Sequence, residues 1–302
     1  MIKASAFVPG HVSGFFQVCD ESEDLVRRGS RNCGPCITAG VRTDVFVRPR
    51  PQSSVMVFID GKEAPEARTS TRAVEMVLET VGTSLDVTVQ HNTHAPIGAG
   101  YGLSGAGALG AVLALSKALG LGLGRNEAAS VAHVAEVSCG TGLGDVGAQV
   151  IGGLVIGLEP GAPPYGKWER IEVPEDLVVV CGTLGPLRTE RFLRDLEFKR
   201  RSKELGGKAL ASLMKSPTLQ NFMRVSEHFS REVGILEGEL LEIIGEISKS
   251  TPFGASAVML GRAVFAPARR SELDRVKEIF LEFFEPDSIF TADVDFEGAR
   301  LI

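Results

Sequence analysis

Three side chains stand out for the chemistry that their types and spacing allow: Ser104, Glu136 and Asp145. Ser104 lies in PIGAGYGLSGAGALG, Pro96–Gly110, between a stretch that alternates as a strand and an apolar stripe at helical spacing. Glycines at 98, 100, 102 and 105 let main-chain N–H groups turn inward, and the helix that follows offers its free N–H groups and positive dipole end to the same spot. Such a junction attracts phosphate. The expected cradle comprises Pro96, Gly98, Ala99, Gly100, Gly102, Ser104, Gly105 and Ala106. No Gly-Lys-Ser/Thr follows, and the chain does not open on a βαβ unit there, so neither the Walker A pattern nor the dinucleotide fingerprint applies. Close helix packing is the other use for these glycines.

Glu136 is expected in the last turn of a helix, where the dipole disfavours a carboxylate and a nearby cation would relieve the cost. Phosphoryl transfer commonly uses Mg2+ held by one or two carboxylates plus nucleotide phosphates, so Glu136 and the Ser104 hydroxyl make a half-shell for that ion. Asp145 follows nine positions later, beyond a glycine-rich turn, and is then free to orient or deprotonate an acceptor hydroxyl. Spacing alone leaves open a solvated Glu136 and an Asp145 that only caps a helix.

Two further constellations compete for attention. Cys33-Gly-Pro-Cys36 has the spacing of a thiol redox pair, but it is followed by a strand-like run instead of opening a helix. His91 and His94 end a strand with no clustered third ligand, which favours a surface or hydrogen-bonding role over a metal site.

The elements that must position these groups follow from periodicity. Strands are expected near the start up to Pro9-Gly10, over Cys36–Arg48 and over Ser54–Ile59, the last closed by the hairpin dipeptide Asp60-Gly61. Helices are expected at Thr69–Thr80, Ser104–Leu119 and Asn126–Val137, with strands at Leu85–Gln90, Val150–Leu158, Trp168–Val173 and Leu177–Gly182. Beyond Thr183 charged amphipathic helices take over, at Glu190–Glu204, Gly207–Met214, Leu219–Glu232 and Leu236–Ser248. Short strands at Ala255–Leu260, Ala263–Ala266 and Ile289–Val294 bracket a last helix, Ser271–Phe284. This change of character divides the chain into domains 1–183 and 184–302.

At 302 residues the chain is long enough for two domains. Its 32 basic and 38 acidic side chains leave a net charge of −6, which argues against a nucleic-acid partner. An odd count of five cysteines suits reduced thiols and a cytoplasmic address. The opening residues lack a signal-peptide apolar stretch. Ala95–Ser116 is 22 residues without a charge, yet six glycines and a proline speak against a membrane span. Of 35 glycines, 16 fall in the 60 residues from Gly98 to Gly157, marking a region of unusual backbone demands.

Taken together, VPGHVSGFF (Val8–Phe16), PIGAGYGLSGA (Pro96–Ala106), GTGLGDVGAQVIGG (Gly140–Gly153) and FGASAVMLGRAVFA (Phe253–Ala266) resemble the motifs of the GHMP kinase superfamily, whose members phosphorylate small-molecule hydroxyls with ATP. Within it, PGHVSGFF, GSRNCGPC (Gly29–Cys36), GAGYGLSGAGALG and MLGRAVFA are similar to the archaeal pantoate-phosphorylating branch. The resemblance implies an α+β fold with an N-terminal α/β layer, a left-handed crossover and a C-terminal ferredoxin-like layer, the site lying between the layers. It implies ATP and Mg2+ as cofactors, pantoate as the acceptor, conversion to 4-phosphopantoate on the route to coenzyme A, and a homodimer. Carried over, Ser104 and Glu136 are the metal ligands and Asp145 the catalytic aspartate. Many members have a lysine where this chain has His11, and the third motif has Ala255, Ser256 and Ala257 in place of a glycine run. The acceptor set is expected to be His11, Ser30 and Arg31, with Arg31 gripping a carboxylate. Homoserine, mevalonate and shikimate kinases of the same superfamily, a thiol-redox protein and a non-catalytic nucleotide-binding regulator are the alternatives.

Overall fold

The computed structural model describes residues 1–185, 195–234, 236 and 238–302. Its first layer is a sheet carried by β3 (Gly29–Pro49), a 21-residue strand long enough to take different partners along its length. The second half of β3 lies between β1 (Ile2–His11) and β6 (Leu85–Thr93), both antiparallel to it. Its first half pairs with β2 (Phe15–Cys19) and β7 (Leu154–Glu159). Beyond β6, β4 (Ser54–Ile59) joins in parallel, and β7 carries β8 (Lys167–Ile171). The chain passes from β4 to β6 through β5 (Lys62–Glu63) and α1 (Arg68–Leu78). Asp60 and Gly61 both have positive φ, 49° and 78°, which is the mirror-image hairpin turn that the Asp-Gly pair specifies.

Helix α2 (Leu103–Leu119) lies across β1 and β3, between α1 and α3 (Arg125–Cys139). Ala, Gly and Leu occupy most of its positions and nearly all are buried, because a helix covered on all sides has no polar face to present. That enclosure accounts for the uncharged stretch, and among the described residues no helix is long and apolar enough to cross a membrane.

The second layer is an antiparallel sheet in the order β10 (Ser256–Ala257), β11 (Arg262–Arg269), β9 (Leu177–Gly185) and β12 (Ile289–Asp293). Thr183, where the sequence changes character, lies inside β9. Helix α5 (Leu196–Lys215) packs against β2 and β3 and against α6 (Leu219–Val233), while α6, α7 (Gly238–Ser250) and α8 (Leu273–Leu281) cover this layer, and β13 (Arg300–Leu301) returns to pair with β1. A continuous core links Phe15, Phe16 and Ile37 of the first layer to Val179, Phe222 and Phe265 of the second.

Several expected boundaries change. The stretch expected as a strand from Val150 begins as a short helix, α4 (Asp145–Ile151), and the strand starts at Leu154. The strand expected at Ala255–Leu260 reduces to Ser256–Ala257. The first residues of the helix expected at Glu190–Glu204, with Arg191 and Arg194, lie outside the described residues. Its remainder runs unbroken through Gly206 and Gly207 to Lys215. Only the first of these glycines is required by packing: a Cβ on Gly206 would stand 2.3 Å from the Phe16 carbonyl oxygen of β2, whereas one on Gly207 would meet only the flexible Gln17 side chain at 3.1 Å. The two positions therefore respond oppositely to alanine. Gly206→Ala is expected to cost about 1–3 kcal/mol from overpacking. Gly207→Ala is expected to gain up to about 1 kcal/mol of helix propensity. Urea unfolding of the two variants checks the pair.

Candidate active site

A cleft of about 1280 Å³ opens at the N-terminus of α2. The preceding loop is shaped by Gly98, Gly100 and Gly102, with φ of 74°, 88° and 67°, and Gly102 is the residue that starts the helix. A side chain at Gly100 would in addition run into the Met259 carbonyl oxygen at 2.6 Å, so the loop around Met259 is seated directly on the glycine loop. Gly98, Gly100, Gly102 and Ser104 line the cleft as expected. Pro96, Ala99, Gly105 and Ala106 do not: Ala99 and Ala106 are turned into the core, and Gly105 leaves room for the Glu136 carboxylate, whose Oε2 would lie 2.9 Å from a Cβ there.

Glu136, on α3, lines the cleft wall and is 1% exposed. It is packed against the backbone of Gly105 and Gly142, and its Oε2 has no hydrogen-bond partner among the described residues. Burial, and then the charge of Asp145, push its carboxyl well above the usual range. A buried carboxylate without a counter-charge is a costly arrangement unless a cation arrives. Ser104, on the first turn of α2, donates to Thr69 Oγ1 at 3.1 Å, and Thr69 and Thr141 share a hydrogen bond of 2.8 Å. These hydroxyls face the cleft beside Glu136, a donor set that fits a hard, oxygen-seeking cation such as Mg2+.

Asp145 opens α4 directly after Gly144. Its Oδ1 accepts a hydrogen bond of 2.7 Å from His11 Nδ1, and its Cγ would be 3.2 Å from a Cβ at Gly102, which the glycine omits. The carboxylate is thereby held against the end of the glycine loop. Gln149, one turn further along α4 and fully buried, ties the helix to the same loop by donating to the Gly102 carbonyl at 2.8 Å.

On the acceptor side the structure corrects two expectations. GSRNCGPC is part of β3, so its side chains alternate: Ser30 and Asn32 face the cleft, while Arg31 points to the other side, toward Cys19. Arg31 therefore does not line the cleft. His11 is fully buried and contributes to the site through Asp145, not through the cleft wall. Ser13, Asn32, Phe16, Leu143 and Gly144 also surround this end. Among the described residues, the cations lining the cleft are Lys62 and Arg68, on the β5–α1 side. Arg188 is outside the described residues. Asn32 was open to discovery from the sequence only through the alternation of β3, which its glycines and proline disguise.

The competing constellations dissolve. Cys33 and Cys36 are unpaired and buried on β3, and an offset of three places them on opposite faces of the strand. Burial pushes both thiols well above their ordinary range. A thiol reagent is expected to label at most Cys19 and Cys139 in the native protein, with Cys33, Cys36 and Cys181 reacting only in denaturant; mass spectrometry of the labelled protein checks this. His91 bridges Thr43 and Ser70 in the core, both at 2.9 Å, and burial lowers its pKa to about 4. His94 stacks on Phe7.

Comparison with known proteins agrees with this geometry. The family model "GHMP kinases N terminal domain" matches residues 68–153, the span from α1 to the end of α4. The pantoate kinase of Methanocaldococcus jannaschii is 33% identical over 272 residues, covering 89% of this chain and 94% of the relative. The pantoate kinase of Thermococcus kodakarensis is 33% identical over 291 residues, covering 94% of each. A solved structure described as a phosphotransferase related to the CoA biosynthesis pathway superposes with a TM-score of 0.89 at 29% identity, over 99% of this chain and 98% of that one. With its glycine loop, its Ser104, Glu136 and Asp145 gathered in one cleft, and such likeness along nearly its whole length, the chain belongs to the GHMP kinase superfamily, within the family of the pantoate kinases.

Proposed function

We propose that the chain transfers the γ-phosphoryl group of ATP to the 4-hydroxyl of pantoate, giving 4-phosphopantoate. The observation that carries the reading is the convergence of Ser104, Glu136 and Asp145 on the N-terminus of α2. The names of the relatives support pantoate as the acceptor. The loop from Gly98 to Gly102 and the first turn of α2 offer N–H groups to the phosphates. Ser104 and Glu136 would hold Mg2+, which when bound supplies positive charge to the phosphate oxygens. Asp145 orients the acceptor hydroxyl and receives its proton at the carboxylate oxygen not engaged by His11. Ser13, Ser30 and Asn32 supply polar contacts at the acceptor end, and Phe16 and Leu143 an apolar wall suited to the two methyl groups of pantoate.

Release of ADP by the purified protein, measured with ATP, Mg2+ and a panel of pantoate, homoserine, mevalonate and shikimate, tests the reading. Turnover with pantoate at a kcat/KM at least tenfold above the other acceptors is expected. A clear preference for another acceptor would displace pantoate, and phosphorylation of none of them would displace the kinase reading.

A further inference from the structure

The buried face of the site holds a group that neither the cleft wall nor the metal half-shell uses. His11, the last residue of β1, is 0% exposed and is anchored through its own N–H to the Tyr101 carbonyl at 2.9 Å, within the phosphate loop. Its ring meets Asp145 across 134 residues of sequence, with Nδ1 donating to Oδ1 at 2.7 Å, while Nε2 has no partner among the described residues. A carboxylate accepts, so the proton of this bond sits on Nδ1 and the tautomer of a neutral ring is set. Gly102 closes the other side of the carboxylate, and Asp145 Oδ2 has no protein hydrogen bond among the described residues.

The two oxygens therefore have separate surroundings. Oδ1 is fixed by a side chain that cannot move, because it is enclosed by the core and by the loop it binds.

We propose that His11 is the positioning residue of Asp145: it fixes the carboxylate rotamer so that Oδ2 is presented to the acceptor hydroxyl, without itself touching either substrate. The assignment rests on the role given to Asp145 under the proposed function. A misplacement of about 1 Å in such a group costs on the order of 10²-fold in rate. His11→Leu is thus expected to lower kcat by about 10–100-fold while the KM values for ATP and acceptor stay within about threefold. His11→Asn, whose side-chain N–H occupies the place of Nδ1–H, is expected to recover most of the lost turnover.

Steady-state kinetics of both variants, alone and combined with Asp145→Asn, provide the test. In the Asp145→Asn background His11→Leu is expected to change kcat by less than about twofold, since its only route to the reaction is gone. Wild-type turnover in His11→Leu, equal losses in the Leu and Asn variants, or fully additive losses in the double variant would each overturn the assignment. If His11→Leu fails to fold, His11→Phe, which keeps an aromatic ring but has no donor, takes its place in the same comparison. Wild-type turnover in Asp145→Asn alone would instead refute the role of Asp145, which separates the two failures.

Discussion

Replacing Asp145 with Asn is expected to lower kcat by about 10²–10⁴-fold while changing the affinity for ATP by no more than about threefold. The amide has the size of the carboxylate and an oxygen that still accepts from His11 Nδ1, so the hydrogen bond of 2.7 Å and the start of α4 persist. What it lacks is the capacity to receive a proton from the acceptor. On the proposed reading nucleotide binding depends on the Gly98–Gly102 loop and the first turn of α2, which the substitution leaves in place. Turnover by coupled ADP release, with nucleotide affinity by calorimetry, separates the two effects. A variant within tenfold of wild-type turnover would remove Asp145 from the chemistry.

The second large effect concerns Glu136 and runs in opposite directions for stability and activity. Burial and the Asp145 charge hold its carboxyl well above the ordinary value of 4.5, so over a window above pH 4.5 the native state keeps a proton that the unfolded chain has released. The sign follows from linkage: stability is full below about pH 4.5 and is lost as pH rises through the higher native value. Glu136→Gln has no such slope. At pH 8, without nucleotide or metal, the variant is expected to be more stable by at least about 1 kcal/mol. For a chain of this length that is on the order of 2 °C in Tm. The gap closes as pH approaches 4.5. Turnover is expected to fall at least about 10²-fold, with a larger Mg2+ requirement, because the variant has lost its anionic ligand. Thermal melts from pH 4.5 to 8 check the first part and Mg2+ titrations of activity the second. A variant less stable than wild type at pH 8 would show that the Glu136 carboxylate is compensated inside the protein.

How much of this could be read from the sequence depended on whether the signal was local. The glycine loop was legible because four closely spaced glycines stand between an alternating strand and an apolar helix, each a pattern contained in a dozen residues. The places of Ser104 and Glu136 were legible for the same reason, since each sits at the start or end of a periodic segment, and Asp145 stood out through the glycine-rich turn before it. Helix α4 was not, because seven residues complete only two turns and its Val and Ile read equally well as strand. The start of β3 was hidden by Gly29, Gly34 and Pro35, which have little strand propensity and are held by pairing with β2 and β7. Missing that strand meant missing its alternation, so Arg31 was chosen for its charge and Asn32 went unnoticed. The meeting of His11 with Asp145 is set by tertiary structure, and no spacing announces it.

The length of β3 has a consequence for the span of the cleft. The same strand carries Ser30 and Asn32 at one end and, further along, the β1 and β6 pairings on which α2 rests. The polar wall at Ser30 and Asn32 and the glycine loop that starts α2 are thus two marks on one ruler, ruled in hydrogen-bonded backbone. The distance between them is gauged by the sheet, so a change of side chain at Ser30 or Asn32 alters the chemistry of the wall and leaves the span in place.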